Sequence, residues 1–215
     1  MIKAIIFDLG GVLIDLDIDR CKRAFIEIAG YDDIGLLLDA SHQKGIYSDL
    51  EEGKVSPDDF RRKIIEGSSK KGQVTPEDVD RSMWALLTGI APYKVDLLRE
   101  LSQKYDLYLL SNNNAISMVR CREIFREAGL PMEKVFRKLF LSYEMKMLKP
   151  SAAIYRTVVA KISLPASELL FVDDSISNIE AAESEGINTL RYRQGDDLRA
   201  SLFKRLDEIA DAEGR

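Results

Sequence analysis

The first seventeen residues read MIKAIIFDLGGVLIDLD, and the segment Ile2–Phe7 within them decides the fold. It is a β-branched, apolar run broken only by Lys3, and it stops abruptly at Asp8, before the pair Gly10-Gly11. A continuous apolar run that ends in a glycine turn is typical of a strand buried on both faces of a parallel sheet. The pattern therefore predicts a central strand with an acidic residue at its carboxyl end.

Further apolar runs indicate the rest of the sheet, at Leu107–Leu110, Lys138–Ser142, Leu169–Val172 and Asn188–Tyr192. Amphipathic helical patterns alternate with them, at Tyr93–Tyr105, Ser117–Ala128, Ala152–Lys161, Ile176–Glu185 and Asp196–Ala212. Alternating strands and helices indicate βαβ units. We therefore expect an α/β fold, a Rossmann-like parallel sheet with helices on both faces.

Residues 17–91 break this rhythm, because no convincing strand pattern occurs there. Three amphipathic helices are predicted instead, at Ile18–Ala29, Asp58–Ile65 and Pro76–Leu87, and Ser56-Pro57 and Thr75-Pro76 are helix-start signals. We interpret residues 17–91 as a small helical cap domain inserted after the first strand. Residues 1–16 and 92–215 then form the core domain.

Composition narrows the possible functions. The chain has 215 residues, of which 46% are hydrophobic, and a net charge of -5. No basic stripe and no membrane-length apolar stretch stands out, so neither nucleic acid nor a membrane is expected as a partner. With one histidine and two distant cysteines, a zinc site is not expected. The cysteines are expected to be reduced thiols in a cytoplasmic protein, and His42 a surface or packing residue.

Polar residues follow the predicted strand ends. They are Asp8, Ser111-Asn112 and Asp173-Asp174, with Lys149 further along the chain. Because the carboxyl ends of parallel strands meet at one edge of the sheet, we expect these residues to converge. Carboxylates suit a hard cation such as Mg²⁺, whereas a hydroxyl, an amide and a lysine suit a phosphoryl group. One carboxylate would then be free to attack phosphorus.

Four segments carry a resemblance to a known family. They are Ile5–Leu13, Leu109–Asn112, Lys149-Pro150, and Phe171–Asp174 followed by Asn178–Ala182. In this order they resemble motifs I to IV of the haloacid dehalogenase-like (HAD) hydrolases, and the helical insertion lies where that family has its cap. The subgroup most similar in these motifs is that of sugar-phosphate phosphatases resembling bacterial α-glucose-1-phosphatase.

The resemblance implies roles for particular residues. Asp8 would be the nucleophile, and Lys149 would hold both Asp8 and the phosphoryl oxygens. Substrate contacts would come from Ser111, Asn112, Asn113 and Gly11. The Mg²⁺ ligands would be Asp8, the backbone carbonyl of Gly10, Asp174, and Asp173 either directly or through water. The substrate would be a small phosphorylated metabolite, particularly a sugar phosphate, and the protein a monomer or homodimer.

One position departs from the family pattern. Most phosphatases of the family have a second Asp two residues after the nucleophile, as general acid and base, and Gly10 stands there in this chain. Such help is worth about 10²–10⁴-fold in rate. A water or a cap group replaces the acid, or a good leaving group such as an anomeric phosphate needs little protonation, or the natural role lies elsewhere. Asp15 and Asp17 are candidate substitutes, or else solvated turn residues.

Two other functions stay open at this point. A haloacid dehalogenase also lacks the second Asp, although it needs no metal, and the Asp173-Asp174 pair argues against it. A non-enzymatic binding protein could retain the fold. Among the remaining residues, Lys146 is a rival to Lys149, and Tyr47 and Trp84 are expected to belong to the core of the cap.

Overall fold

The structure is a computed structural model, and it describes residues 1–37 and 45–213. His42 lies outside these residues. The strands, in chain order, are β1 (Ala4–Phe7), β2 (Ile14–Leu16), β3 (Leu87–Ile90), β4 (Asp106–Ser111), β5 (Lys138–Leu141), β6 (Leu169–Asp173) and β7 (Asn188–Arg191). Five of them form a parallel sheet in the order β5-β4-β1-β6-β7, so β1 is central. All five predicted strands are therefore confirmed.

Helices flank this sheet, and a separate group of helices lies between β1 and β4 in the sequence. Those of residues 17–91 are α1 (Ile18–Glu27), α2 (Ile34–Leu37), α3 (Ile46–Glu51), α4 (Pro57–Glu66) and α5 (Pro76–Trp84). The later ones are α6 (Pro92–Leu101), α7 (Ala115–Glu127), α8 (Met132–Val135), α9 (Ser142–Met145), α10 (Ala152–Ile162), α11 (Ile176–Ser184) and α12 (Leu198–Glu213).

Strand β1 is fully buried because both of its faces are covered. Ile5 and Phe7 belong to one core cluster, with side chains from α6, α7 and α12, whereas Ala4 and Ile6 belong to another, with α10 and α11. Two covered faces explain why the run is apolar at successive positions rather than alternating. The expected parallel sheet with helices on both faces is confirmed.

The helices of residues 17–91 have a hydrophobic core of their own. Phe25, Phe60, Ile64 and Val79 lie in it, together with Ile116 from α7. The two predicted start signals act as N-caps, since Ser56 accepts a hydrogen bond from Asp59 N and Thr75 forms a capping box with Asp78. Through Ile116 this helical group, hereafter the cap, packs against α7.

One expectation for residues 17–91 is wrong, because β3 lies within them and pairs antiparallel with β2. This strand has only four residues, LTGI, and Gly89 within it adopts a φ of 141°. A run so short, with a glycine inside, has no readable period, and its pairing with β2 supplies the stability. The division at residues 16/17 and 91/92 remains a prediction.

No helix within residues 1–37 and 45–213 is long and apolar enough to cross a membrane.

Candidate active site

The polar strand ends converge as predicted. Strand β1 pairs with β4 on one side and β6 on the other, so Asp8, Ser111 and Asp173 lie at the same edge of the sheet. A cavity of about 230 Å³ opens at this edge of the sheet. Its polar lining includes Asp8, Gly10, Ser111, Asn112, Asn113 and Asp174 from the core, and Tyr47 and Glu51 from the cap.

Lys149 reaches this edge of the sheet from the loop before α10. Its Nζ lies 3.0 Å from Asp8 Oδ1 and 2.6 Å from Asp173 Oδ2, and it donates to the carbonyl of Leu110 at 3.1 Å. Burial alone would lower the pKa of Lys149, but Asp173 and Asp8 outweigh it and the net shift is upward. The rival Lys146 is exposed and donates to the carbonyl of Gly53. Of the two lysines, Lys149 is therefore the one that contacts the carboxylates at the strand ends.

Asp8 is held in a defined orientation. Its Oδ1 accepts a hydrogen bond from Leu9 N at 2.7 Å, in addition to the contact with Lys149. Both contacts go to Oδ1, and neither involves Oδ2. Burial, and then the neighbouring carboxylates of Asp173 and Asp174, raise the pKa of Asp8 to about 7, against the lowering effect of Lys149. A cation beside Asp8 would favour the ionised, nucleophilic form.

The two acids after β6 have different surroundings. Asp173 is fully buried, and besides Lys149 it accepts hydrogen bonds from Ser175 N at 2.8 Å and Asn178 Nδ2 at 3.0 Å. Asp174 faces the cavity, and its pKa is raised by burial and by Asp173. Ligand oxygens of Asp8, Asp173 and Asp174 lie within 4.8 Å of one another. Carboxylates so close repel one another unless a cation lies between them, so this donor set fits Mg²⁺.

Gly11 packs directly against this carboxylate cluster. Its φ is +76°, and a Cβ built on it would lie 2.4 Å from Asp174 Oδ2. A side chain at this position would displace the carboxylate, so the glycine permits close approach to Asp174 as well as the turn. Gly10 lines the cavity beside it.

The three residues at the end of β4 and after it make different contacts. Ser111 is buried and lines the cavity. The side-chain amide of Asn112 accepts from Lys149 N at 2.9 Å and donates to Lys149 O at 3.0 Å, so it fixes the backbone of the lysine. Asn113 N donates to Ser142 Oγ at 2.9 Å. Contacts of Asn112 and Asn113 with substrate stay predictions, and they would have to coexist with these hydrogen bonds.

Two residues that the sequence did not single out also line the cavity. Glu51 follows Tyr47 by one turn of α3, so both face the same side. Burial and then the Asp8 carboxylate raise the pKa of Glu51 to about 8, partly offset by Lys149. Ser117 is buried, and its Oγ has no hydrogen-bond partner in the described part of the chain. Tyr47 and Trp84 do pack in the cap, as expected.

The candidate substitutes for the missing acid lie elsewhere. Asp15 forms an ion pair with Lys94 at 2.8 Å, and Asp17 caps α1 by accepting from Arg20 N at 2.8 Å. Neither lines the cavity that contains Asp8. The structure therefore favours neither residue as the missing acid, because Asp15 lies in β2 and pairs with Lys94, and Asp17 is the N-cap of α1.

The parallel sheet and the polar residues at its strand ends define a Rossmann-like core of the kind that the four motifs indicate. Residues 2–186 match the model of the haloacid dehalogenase-like hydrolases. The chain therefore belongs to this family, as the resemblance implies.

Relatives agree with this assignment. The chain is 36% identical over 203 residues to a D-ribitol-5-phosphate phosphatase from Bacteroides thetaiotaomicron, covering 94% of this chain and 97% of that protein. A wild-type HAD family enzyme from Bacteroides thetaiotaomicron, crystallised with magnesium and inorganic phosphate, superposes with a TM-score of 0.86, 36% identity, and coverage of 93% and 98% of the two chains. A predicted HAD-like family hydrolase from Porphyromonas gingivalis gives a TM-score of 0.86 at 32% identity, with coverage of 96% and 98%.

Proposed function

We propose that this protein is a Mg²⁺-dependent phosphatase that hydrolyses the phosphate monoester of a small sugar or polyol through an aspartyl-phosphate on Asp8. The observation that carries the proposal is a cluster of three carboxylates, Asp8, Asp173 and Asp174, of which the buried Lys149 contacts the first two. The relative named for D-ribitol-5-phosphate and the relative crystallised with magnesium and phosphate support it.

The carboxylate cluster would hold the metal ion. Asp8 and Asp174 offer oxygens at the cavity, and Gly10, which lines the same cavity, would add its backbone carbonyl. Because the oxygens of Asp173 already accept from Lys149, Ser175 and Asn178, we assign it to contact the ion through water. The bound Mg²⁺ would neutralise charge on the phosphoryl group.

Hydrolysis would then proceed by two successive displacements at phosphorus, the first by Asp8 and the second by water. Asp8 Oδ2 attacks in line and forms the aspartyl-phosphate as the sugar or polyol oxygen departs, and water next displaces Asp8 and releases phosphate. Lys149, with Ser111, would hold the phosphoryl oxygens during both steps. The cap covers the cavity and limits the access of bulk water to the intermediate.

The size and the polarity of the cavity indicate the substrate class. At about 230 Å³ it suits a small metabolite. The unpartnered hydroxyl of Ser117 and the carboxyl of Glu51 offer hydrogen bonds to substrate hydroxyls. Action in the cytoplasm, as a monomer or homodimer, is part of the same proposal.

A panel of phosphorylated sugars and polyols, assayed for phosphate release with Mg²⁺, tests the function. We expect turnover that EDTA abolishes and Mg²⁺ restores. The same assay includes a 2-haloacid, and halide release that persists in EDTA would instead identify a dehalogenase. Absence of turnover in both arms would favour a binding protein that retains the fold.

A further inference from the structure

We infer that Glu51, supplied by the cap, is the general acid and base that the motif I position Gly10 lacks. This inference rests on the proposed phosphatase function and adds a catalytic residue to it. The acidic side chains that line the cavity, among the described residues, are Asp8, Asp174 and Glu51. The first two belong to the nucleophile and metal cluster, so Glu51 is the acid left for proton transfer.

In-line attack by Asp8 would direct the leaving group towards the cap. Asp8 follows β1 of the core, whereas Glu51 belongs to α3 of the cap, and both line the cavity. In an in-line displacement the nucleophile and the leaving oxygen lie on opposite sides of phosphorus. A phosphoryl group attacked by Asp8 therefore directs its leaving oxygen towards the cap.

The backbone at Glu51 is linked through Ser142 to Asn113. Ser142 Oγ donates to the carbonyl of Glu51 at 2.6 Å and accepts from Asn113 N at 2.9 Å. A hydrogen-bonded path thus joins the end of α3 to the residues that follow β4. This tether fixes the backbone that carries the Glu51 side chain, and so limits how far its carboxyl can move from the cavity.

The side chain of Glu51 is free for this task. In the described residues it has no ion pair, whereas the next residue, Glu52, pairs with Lys54 at 2.7 Å. Leu16, Leu86 and Tyr47 also line the cavity and shield the carboxyl from water. Such surroundings favour the protonated form, in agreement with the raised pKa.

The two steps balance. As the Asp8–phosphorus bond forms and the bond from phosphorus to the leaving oxygen breaks, the Glu51 carboxyl gives its proton to that oxygen and an alcohol departs. The Glu51 carboxylate then accepts a proton from water, whose oxygen attacks phosphorus. The Asp8–phosphorus bond breaks, phosphate leaves, and both carboxyl groups return to their starting states.

The variant Glu51→Gln, which keeps the size of the side chain, tests whether Glu51 is the general acid. Its rates are compared with those of wild type for two substrates that differ in their leaving group. Rapid-quench experiments with Mg²⁺ would follow alcohol release from a polyol phosphate and p-nitrophenolate release from p-nitrophenyl phosphate. The alkoxide needs a proton to depart and the phenolate does not. We expect the variant to lose about 10²–10⁴-fold in the first step with the polyol phosphate. With the aryl ester it should keep the burst rate of wild type.

The second step gives an independent readout. Without a base to activate water, the aspartyl-phosphate formed from the aryl ester should accumulate in Glu51→Gln, and mass spectrometry would detect one added phosphoryl group. Glu52→Gln is the matched control and should behave as wild type. Equal binding of Mg²⁺ and inorganic phosphate by wild type and Glu51→Gln would show that the variant folds.

The outcomes distinguish a failure of the role of Glu51 from a failure of the proposed phosphatase function. If Glu51→Gln slows the bursts of both esters equally, or slows neither, Glu51 is not the acid, even though wild type remains a phosphatase. If wild type hydrolyses no phosphate ester, or if Asp8→Asn matches its turnover, the proposed function fails and the role of Glu51 fails with it.

Discussion

Lys149 Nζ lies 2.6 Å from Oδ2 of Asp173, and both side chains are almost completely buried. Asp173 therefore fixes the lysine that contacts Asp8, and Ser175 and Asn178 in turn fix Asp173. A buried cation between two carboxylates is costly to disturb, because removing it leaves both charges without compensation. This arrangement couples the stability of the core to the organisation of the site.

Replacement of the lysine should affect stability and activity together. We expect Lys149→Met to abolish phosphate turnover and to lower the free energy of unfolding in metal-free buffer by about 3–5 kcal/mol. Added Mg²⁺ should restore part of the stability, since it compensates the same carboxylates. Urea denaturation with and without Mg²⁺ measures this. The exposed Lys146 is the matched control, and turnover by Lys149→Met equal to that by Lys146→Met would contradict the assignment.

The close approach of Gly11 to Asp174 predicts a loss of metal affinity in Gly11→Ala. The new Cβ would overlap Asp174 Oδ2 and push the carboxylate away from the cluster. Gly72 has a similar φ, +75°, and no atom within 4 Å of its added Cβ, so Gly72→Ala has the same backbone strain without the clash. Calorimetric titration with Mg²⁺ should show weaker binding in Gly11→Ala alone. Equal affinities in the two variants would remove Asp174 from the metal site.

Ser142 links the cap to the core, so its replacement should loosen the contact between them. Ser142→Ala leaves the buried amide of Asn113 and the carbonyl of Glu51 without this partner, which should cost about 1–3 kcal/mol of stability. Hydrogen exchange should become faster in α3, and turnover should fall because Glu51 is less well placed. Ser184→Ala, at an exposed hydroxyl on α11, serves as control. Unchanged exchange in α3 would show that the tether is unimportant.

The capping box of α5 predicts a pH-dependent contribution to stability. Hydrogen bonds from the backbone and side chain of Thr75, and then Arg81, lower the pKa of Asp78 to about 2. A carboxylate with a depressed folded-state pKa stabilises the protein above its unfolded pKa, about 3.9, and loses this effect as the pH falls through the folded value. Asp78→Ala should therefore cost about 1 kcal/mol at pH 7.

The same difference should shrink as the pH falls from about 4 towards 2. Denaturation of Asp78→Ala and wild type across this range measures it. Glu77→Ala, in the same first turn but outside the capping box, is the control. A difference between Asp78→Ala and wild type that stays constant down to pH 2 would show that the carboxylate is not the source of the stability.

Local patterns were sufficient to predict the sheet and its strand ends. The run Ile2–Phe7 has apolar residues at successive positions because both faces of β1 are covered, and that signal depends on no distant partner. The rule that parallel strands present their carboxyl ends at one edge then brings Asp8, Ser111 and Asp173 together.

Features set by distant contacts were not predictable in this way. The role of Asn112 in fixing the Lys149 backbone joins residues 37 positions apart, and the ion pair of Asp15 with Lys94 joins residues 79 positions apart. Glu51 is one of 36 acidic residues, on a helix of six, and only the packing of the cap shows that it faces the cavity. Its spacing from Tyr47 is a helical signal, but it does not say which side is buried.

The most direct test of the account is to trap the covalent intermediate. Mg²⁺-loaded wild type would be mixed with excess polyol phosphate, quenched in acid within the first turnover, reduced with borohydride, and sequenced by mass spectrometry. We predict that the reduction product, a homoserine formed with loss of phosphate, maps to position 8, and that Asp8→Asn shows no such product. Phosphate release by wild type with no modification at Asp8, or with unchanged turnover in Asp8→Asn, would contradict the account.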